Sequence, residues 1–185
     1  MKKIFSVLLF FACCFLTISC SKNKINSLKY RPVGDYKFPE PSTEYWTLST
    51  DNVQENATGI EGFSITPKYT YISKDSTSSI VISTAQCDEK IVDEKSITLE
   101  NSINTYTELL KSSLEKNGTC KIEKETLENG MNYRIVANIQ DMIFLKVIYY
   151  VYDFNALSVD FLLPASEYMQ YQTDIVTLLD SVALK

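Results

Sequence analysis

The chain has 185 residues, a formal net charge of −5 and no histidine. This length allows one domain of ordinary size, which can bury about 70% of its unfolded surface. The lack of histidine excludes Ser-His-Asp catalysis and removes the commonest metal ligand, while an acidic balance without a basic stripe argues against a nucleic-acid partner.

The first twenty residues have the layout of an export signal. A basic Met-Lys-Lys start is followed by an apolar run over residues 4–18, which is shorter than the roughly 20 residues that a membrane span needs. We therefore predict a signal peptide over residues 1–19. This signal could belong to a lipoprotein or to an ordinary secreted protein. In the second case the chain is cut after Ser19 and Cys20 carries no lipid.

Cys20 is the predicted first residue of the mature chain. The stretch LTISC that ends at Cys20 resembles the lipobox of bacterial lipoproteins, with Thr17 where leucine is commonest. Two or three acyl chains on this cysteine would hold the protein on a bilayer. We expect an envelope protein facing the periplasm or exterior, whose residues 20–45, polar and containing three prolines, form a flexible tether.

Two strands and a helix are predicted after the tether. Residues 62–73 alternate in polarity around Pro67, which marks an edge or interrupted strand, and residues 78–87 are rich in β-branched side chains. Apolar residues then recur every three or four positions, which predicts a helix that starts at the N-cap Thr98 and ends at Asn117-Gly118 in a left-handed turn. The inner face of this helix is predicted to contain Leu99, Ile103, Tyr106, Leu110 and Leu114.

Four closely spaced strands are predicted next, followed by a second helix. The strands cover residues 119–127, 131–139, 142–152 and 156–163, and their short connections make neighbours antiparallel. Ser166 can cap the last helix. The inner face of that helix is predicted to contain Tyr168, Ile175, Leu178, Leu179 and Val182. The order β-β-α-β-β-β-β-α predicts a single α+β domain over residues 46–185, with a central antiparallel sheet of about six strands.

The end of the chain, NALSVDFLLPASEYMQYQTDIVTLLDSVALK, resembles the PsbP-like superfamily, which includes the DcrB-like lipoproteins of bacteria. The shared features are a lone helix between strands, a four-strand meander ending in LLPA, and a closing helix with a serine-plus-aliphatic tail. The resemblance covers roughly residues 60–185. It implies a central sheet with helices on both sides and non-catalytic binding to larger assemblies. No binding residue is transferred by motif.

Two cysteines, Cys87 and Cys120, remain in the body of the mature chain. An exported protein can form a disulfide, so a bridge between them is one interpretation. The other is two free thiols, which we favour because a parallel crossover would place the cysteines at opposite ends of the sheet. No metal site is expected, since two sulfurs without histidine leave a zinc shell half empty.

A polar cluster is predicted within the four-strand meander. If Tyr133 and Ile135 face the core together with Leu145, Val147, Val159 and Phe161, then strand parity places a second set of side chains on the other face. This predicted patch consists of Arg134, Lys146, Ser158 and Asp160, beside Tyr150. It is either a recognition patch or, as we favour, cross-strand charge pairing partly covered by a helix.

These observations favour a non-catalytic, lipid-anchored envelope protein that binds another envelope protein or supports an assembly. The alternative is a binding protein for a small molecule, lipid or sugar in a cleft beside the sheet. An enzyme that uses Asp, Glu, Lys or Tyr ranks third, because no catalytic motif is present. No cofactor is expected.

Overall fold

The computed structural model describes residues 28–50, 56–88, 98–151 and 155–185, so the predicted signal peptide and Cys20 lie outside the described residues. These described residues form two helices: α1 (Leu99–Leu114) and α2 (Tyr168–Asp180). The strands are β1 (Tyr30–Val33), β2 (Tyr36–Pro39), β3 (Trp46–Leu48), β4 (Asn56–Ala57), β5 (Phe63–Ser73), β6 (Ser79–Cys87), β7 (Gly118–Leu127), β8 (Gly130–Ile139), β9 (Met142–Val151), β10 (Ala156–Pro164) and β11 (Ala183–Leu184).

The main sheet has eight strands in the order β3-β5-β6-β10-β9-β8-β7, with β4 also paired to β5. All neighbours are antiparallel, which confirms the predicted four-strand meander from β7 to β10. A register shift between Pro67 and Tyr69 interrupts β5, as the proline predicted. The sheet exceeds the predicted six strands because the short strands β3 and β4 add to the β5 side.

Helix α1 connects β6 to β7, which run parallel to each other four strand positions apart. Its predicted N-cap is confirmed, since Thr98 accepts a hydrogen bond from the backbone N–H of Asn101 at 3.2 Å. The predicted left-handed stop is wrong, because Gly118 has no positive φ and already belongs to β7. A Cβ atom at Gly118 would lie 1.9 Å from the carbonyl oxygen of Asn138, so this glycine permits a close approach of two backbones.

Helix α2 packs its apolar side on the main sheet. Ile175, Leu178 and Leu179 are buried as predicted, and Tyr171 is buried with them. The predicted cap at Ser166 is wrong, because the N-cap residue is Glu167, directly before the first helical residue Tyr168, and its side chain makes no capping hydrogen bond. The backbone N–H of Glu167 donates to the carbonyl of Pro164 at 3.0 Å, so Ser166 lies inside a turn that precedes the helix.

A small second sheet, β1-β2-β11, includes residues 30–39 of the predicted tether. Val33, Tyr36 and Phe38 are buried in the core next to the main sheet. The hydroxyl of Tyr36 also donates to the carbonyl of Tyr149 at 3.3 Å. A flexible tether through residue 45 is therefore wrong for residues 30–39, because their apolar side chains have a partner surface that offsets the entropy of ordering them.

The two faces of the main sheet carry separate cores. One face is covered by α2 and the small sheet, and its core includes Trp46, Val159 and Phe161. The other face is covered by α1, and its core includes Phe63, Ile103 and Ile148. No helix among residues 28–50, 56–88, 98–151 and 155–185 is both long and apolar enough to cross a bilayer.

Candidate functional site

The candidate site is an ion pair between Lys146 and Asp160 on the sheet face that α1 covers. The two residues are directly opposite each other on β9 and β10. Lys146 Nζ lies 2.7 Å from Oδ1 and 2.9 Å from Oδ2 of Asp160. The side chain of Lys146 is 2% exposed and that of Asp160 is 21% exposed. The Lys146 ammonium is therefore shielded from water, whereas the Asp160 carboxylate is partly accessible to water.

Two further side chains complete the environment of this pair. Ser158 is fully buried and donates a long hydrogen bond of 3.4 Å to Asp160 Oδ1. Tyr106 of α1 lies over the lysine, with the Lys146 Nζ atom 5.3 Å from the centroid of its ring. A cation at this distance from an aromatic face is attracted by the ring quadrupole. Helix α1 thus contributes directly to the stabilisation of the charge beneath it.

Opposing effects act on the pKa of Lys146. Burial lowers it, because the charged form loses its hydration. The negative charge of Asp160 and the hydroxyl of Tyr106 together raise the pKa of Lys146 above its ordinary value. Lys146 is therefore a permanent cation at neutral pH, and not a lysine deprotonated by burial that could serve as a base or nucleophile.

The structure brings together Lys146, Ser158 and Asp160 of the predicted patch. Tyr150 lies on the same face, two residues along β9 from Ile148, which is the residue opposite Ser158. On β8, the residue opposite Tyr150 is Met131. Arg134 was misplaced by the prediction, because it is opposite Val147 and so lies on the other face of the sheet. The residue of β8 opposite Lys146 is Ile135. The patch is therefore a covered ion pair without the arginine.

Cys87 and Cys120 are free thiols, each half-buried. Their strands β6 and β7 are four positions apart in the sheet, which separates them by about 19 Å at 4.8 Å per strand. Cys87 also ends β6, whereas Cys120 lies near the start of the parallel strand β7. This geometry excludes the bridge between them, since a disulfide needs Cα atoms within about 7 Å.

A second polar contact, which the sequence did not suggest, joins α2 to β3. The indole N–H of Trp46 donates to Asp174 Oδ2 at 2.8 Å. The rings of Trp46 and Tyr171 have centroids 5.0 Å apart, and Tyr45 meets Tyr171 edge to face at 5.8 Å. Burial raises the pKa of Asp174, and the hydrogen bond from Trp46 only partly opposes this shift. The chain's one tryptophan was the available signal, because a buried indole N–H needs an acceptor.

Both polar contacts serve to hold elements together. The Lys146–Asp160 pair joins β9 to β10 and binds α1 through Tyr106, while Trp46–Asp174 joins β3 to α2. Within the described part of the chain, no group of three or more His, Cys, Asp or Glu side chains could hold a metal ion. These side chains therefore stabilise the packing of secondary-structure elements against one another.

Comparison with known proteins supports the fold alone. No protein-family model matches the sequence, and no curated protein matches it. Among solved structures, the chain is similar to the solution structure of cyanobacterial PsbP (CyanoP) from Synechocystis sp. PCC 6803, with a TM-score of 0.53 and 10% sequence identity. The match covers 90% of this chain and 98% of the CyanoP chain. The protein thus has an α+β domain with a PsbP-like fold.

Proposed function

We propose that this chain is a bacterial lipoprotein with a DcrB-like variant of the PsbP-like domain, held on a membrane of the cell envelope through acylated Cys20. It acts without catalysis, by binding another envelope protein. The observation that carries the proposal is the stretch LTISC at residues 16–20, which closes the apolar run over residues 4–18 directly after a basic start.

The position of the first strand supports a role at the membrane surface. Nine residues, 21–29, separate Cys20 from β1, which begins at Tyr30. Even at full extension, nine residues reach about 30 Å. The folded domain would therefore stay within a few nanometres of the bilayer, where neighbouring envelope proteins are its available partners.

The candidate site supports a binding role over a catalytic one. An enzyme needs a reactive group that a substrate can reach, but Lys146 is sealed beneath α1 and already bonded to both oxygens of Asp160. The PsbP-like fold is the one part of the sequence resemblance that the comparison supports, and the non-catalytic role is proposed from that resemblance.

The anchor is tested by comparing the wild-type chain with Cys20→Ser in a bacterial host that processes lipoproteins. We expect the wild-type chain in the membrane fraction, with an intact mass that shows cleavage before Cys20 plus a lipid adduct. Cys20→Ser should lose the adduct and membrane retention. Equal retention of both chains without an adduct on either would contradict the proposal.

The binding role is tested separately, by crosslinking in intact cells and affinity capture through the C-terminus. A flexible spacer should precede the tag, because the backbone N–H of Lys185 donates to the carbonyl of Asp35 at 2.9 Å. We expect one or a few envelope proteins to be enriched over a Cys20→Ser control. Capture of the chain alone at every crosslinker length would argue against a protein partner.

A further inference from the structure

Helix α1 is held to the sheet by fewer apolar contacts than helix α2. The fully buried residues of α1 are Ser102, Ile103 and Thr107, of which one is a large apolar residue. The corresponding residues of α2 are all apolar or aromatic: Tyr171, Ile175, Leu178 and Leu179. Since a fully buried aliphatic side chain contributes about 1.5 to 3 kcal/mol, the fully buried side chains of α2 contribute more apolar stabilisation than those of α1.

The sequence pattern of α1 suggested a stronger attachment than the structure shows. Leu99, Tyr106, Leu110 and Leu114 were expected on its inner face, but all four are only half-buried. Leu109, on the outer side, is 50% exposed. Apart from Ile103, the apolar side chains on the inner face of α1 are therefore only partly buried.

Polar contacts supply much of the remaining attachment. Tyr133 of β8 donates to Asn104 Oδ1 at 2.9 Å, and Lys124 of β7 donates to the same oxygen at 3.3 Å. Lys124 also forms a 3.7 Å ion pair with Glu100, in which both side chains are more than one-third exposed. Exposed pairs of this kind contribute about 1 kcal/mol or less and are weakened by salt.

The sheet surface beneath α1 is built from strands that are hydrogen-bonded to one another and not to the helix. Phe63, Ile65, Ile135 and Ile148 belong to hydrogen-bonded strands, and Lys146 is bonded to Asp160 within the sheet itself. The contact between Lys146 and Tyr106 ties this ion pair to α1. Removal of the helix would thus expose an apolar surface around an intact ion pair.

We propose that α1 is a displaceable cover, which leaves the sheet in a local opening while the sheet and α2 remain folded. The opening exposes the apolar surface formed by Phe63, Ile65, Ile135 and Ile148, together with the Lys146 ammonium. Local openings of this type occur where few apolar contacts hold an element to the rest of a protein. The inference does not depend on the proposed lipid anchor.

Hydrogen exchange followed by mass spectrometry on the full chain tests the proposal. We expect amides in α1 to exchange at least on the order of tenfold faster than amides in α2, after correction for intrinsic rates. Raising NaCl from 0.05 to 1 M should increase the exchange of α1 further and leave that of α2 unchanged, because salt screens the exposed Lys124–Glu100 pair. Equal protection of the two helices at low salt would overturn the proposal.

A disulfide lock distinguishes detachment of α1 from fraying within it. The thiol of Cys87 donates to Ser102 Oγ at 3.4 Å, so the variant Ser102→Cys places a second thiol beside Cys87. Serine in place of Cys13, Cys14, Cys20 and Cys120 in the same chain prevents mispairing, and an intact mass lower by two hydrogens reports the bridge. We expect the oxidised chain to exchange α1 amides as slowly as α2 amides, and the reduced chain to recover the fast exchange.

The matched control is the same chain with Cys87→Ser, which cannot form the bridge and should show fast exchange under both redox conditions. If the bridge forms and the exchange of α1 stays fast, the helix frays without leaving the sheet and the proposal is wrong. If the bridge does not form, the comparison of α1 with α2 in the wild-type chain decides the question on its own.

Discussion

A buried lysine ammonium is stable only while an anion faces it, and Asp160 provides that anion for Lys146 in this fold. The pair has both oxygens engaged, at 2.7 and 2.9 Å, and one partner remains 21% exposed. Breaking such a pair by removing one member is costly because the other charge stays in a poorly hydrated site. Replacing both members with apolar side chains of similar volume avoids that cost.

Lys146→Met should therefore destabilise the protein by about 3 kcal/mol, at the low end of the range for buried pairs because water reaches Asp160. The double variant Lys146→Met, Asp160→Leu should recover most of this loss. Urea unfolding at constant pH measures both, and Lys121→Met is the control, since Lys121 is 53% exposed in its pair with Glu123. A double variant as unstable as the single one would show that the charges themselves stabilise the fold.

The carboxylate of Asp174, unlike that of Asp160, has no cationic partner in the contacts described above and destabilises the fold when it is charged. Burial raises the pKa of Asp174 from the ordinary value of 3.8. The native state then binds a proton more readily than the unfolded state, so the contribution of this group to stability falls as pH rises through its folded pKa. Asp174→Asn keeps an oxygen that accepts from Trp46 and has no charge. It should be more stable than wild type at pH 7.

The difference between Asp174→Asn and wild type should shrink as pH falls from 7 towards 4, where the wild-type carboxyl becomes protonated. Urea unfolding of both chains across this range, followed by Trp46 fluorescence, gives the difference directly. A difference that is constant with pH would mean that the buried carboxylate is not the cause. Asp180→Asn, on an exposed residue of the same helix, controls for the change in net charge.

The residue scale also shows where sequence reasoning was sufficient. Parity along β9 and β10 correctly placed Lys146 and Asp160 on one face, because both strands alternate clearly. It failed for β8, although the predicted strands 131–139 and 142–152 left only a two-residue turn, Gln140-Asp141, between them. A two-residue turn pairs Ile139 with Met142, and this register places Ile135 opposite Lys146. The length of the turn therefore predicts the correct register, whereas the alternation of apolar residues placed β8 with the wrong face inward.

At the scale of elements, the close contact of β7 with β8 depends on Gly118. A methyl group there would lie 1.9 Å from the carbonyl oxygen of Asn138, and backbone atoms cannot move aside as a flexible side chain can. Gly118→Ala should therefore destabilise the protein by about 1 to 3 kcal/mol, as overpacking does. Thermal unfolding measures it, with Ser112→Ala on the exposed side of α1 as the control. A cost below that of the control would contradict the contact.

Elements with a long, regular pattern were predictable, whereas short ones were not. The strands β5 to β10 and both helices were predicted within a few residues, because ten or so alternating or periodic positions average out exceptions. Strands β1 and β2 have four residues each and contain prolines, and they become ordered only through Val33, Tyr36 and Phe38 in the core. That tertiary contact has no local signature.

At the scale of the whole molecule, the two ends of the chain are joined by the small sheet. Strand β11 pairs with β2, Ala183 opposite Lys37 and Leu184 opposite Tyr36, so the last residues hold the first strands in place. The small sheet lies over the same core as α2. The folded domain therefore includes β1 and β2 as well as β11, whereas the sequence predicted a domain that starts at residue 46 after a tether.

A chain beginning at residue 46 should consequently fail to fold stably, whereas one beginning at residue 28 should fold. Removing Val33, Tyr36 and Phe38 forfeits about 2 kcal/mol of apolar burial for each side chain, or about 6 in all. This is comparable with the whole stability of a typical domain, about 5 to 15 kcal/mol. Deleting residues 183–185 should cost much less, because both residues of β11 are exposed. Circular dichroism and urea unfolding compare the stabilities of the three chains. A stably folded chain that begins at residue 46 would show that the residues before it act as a tether after all.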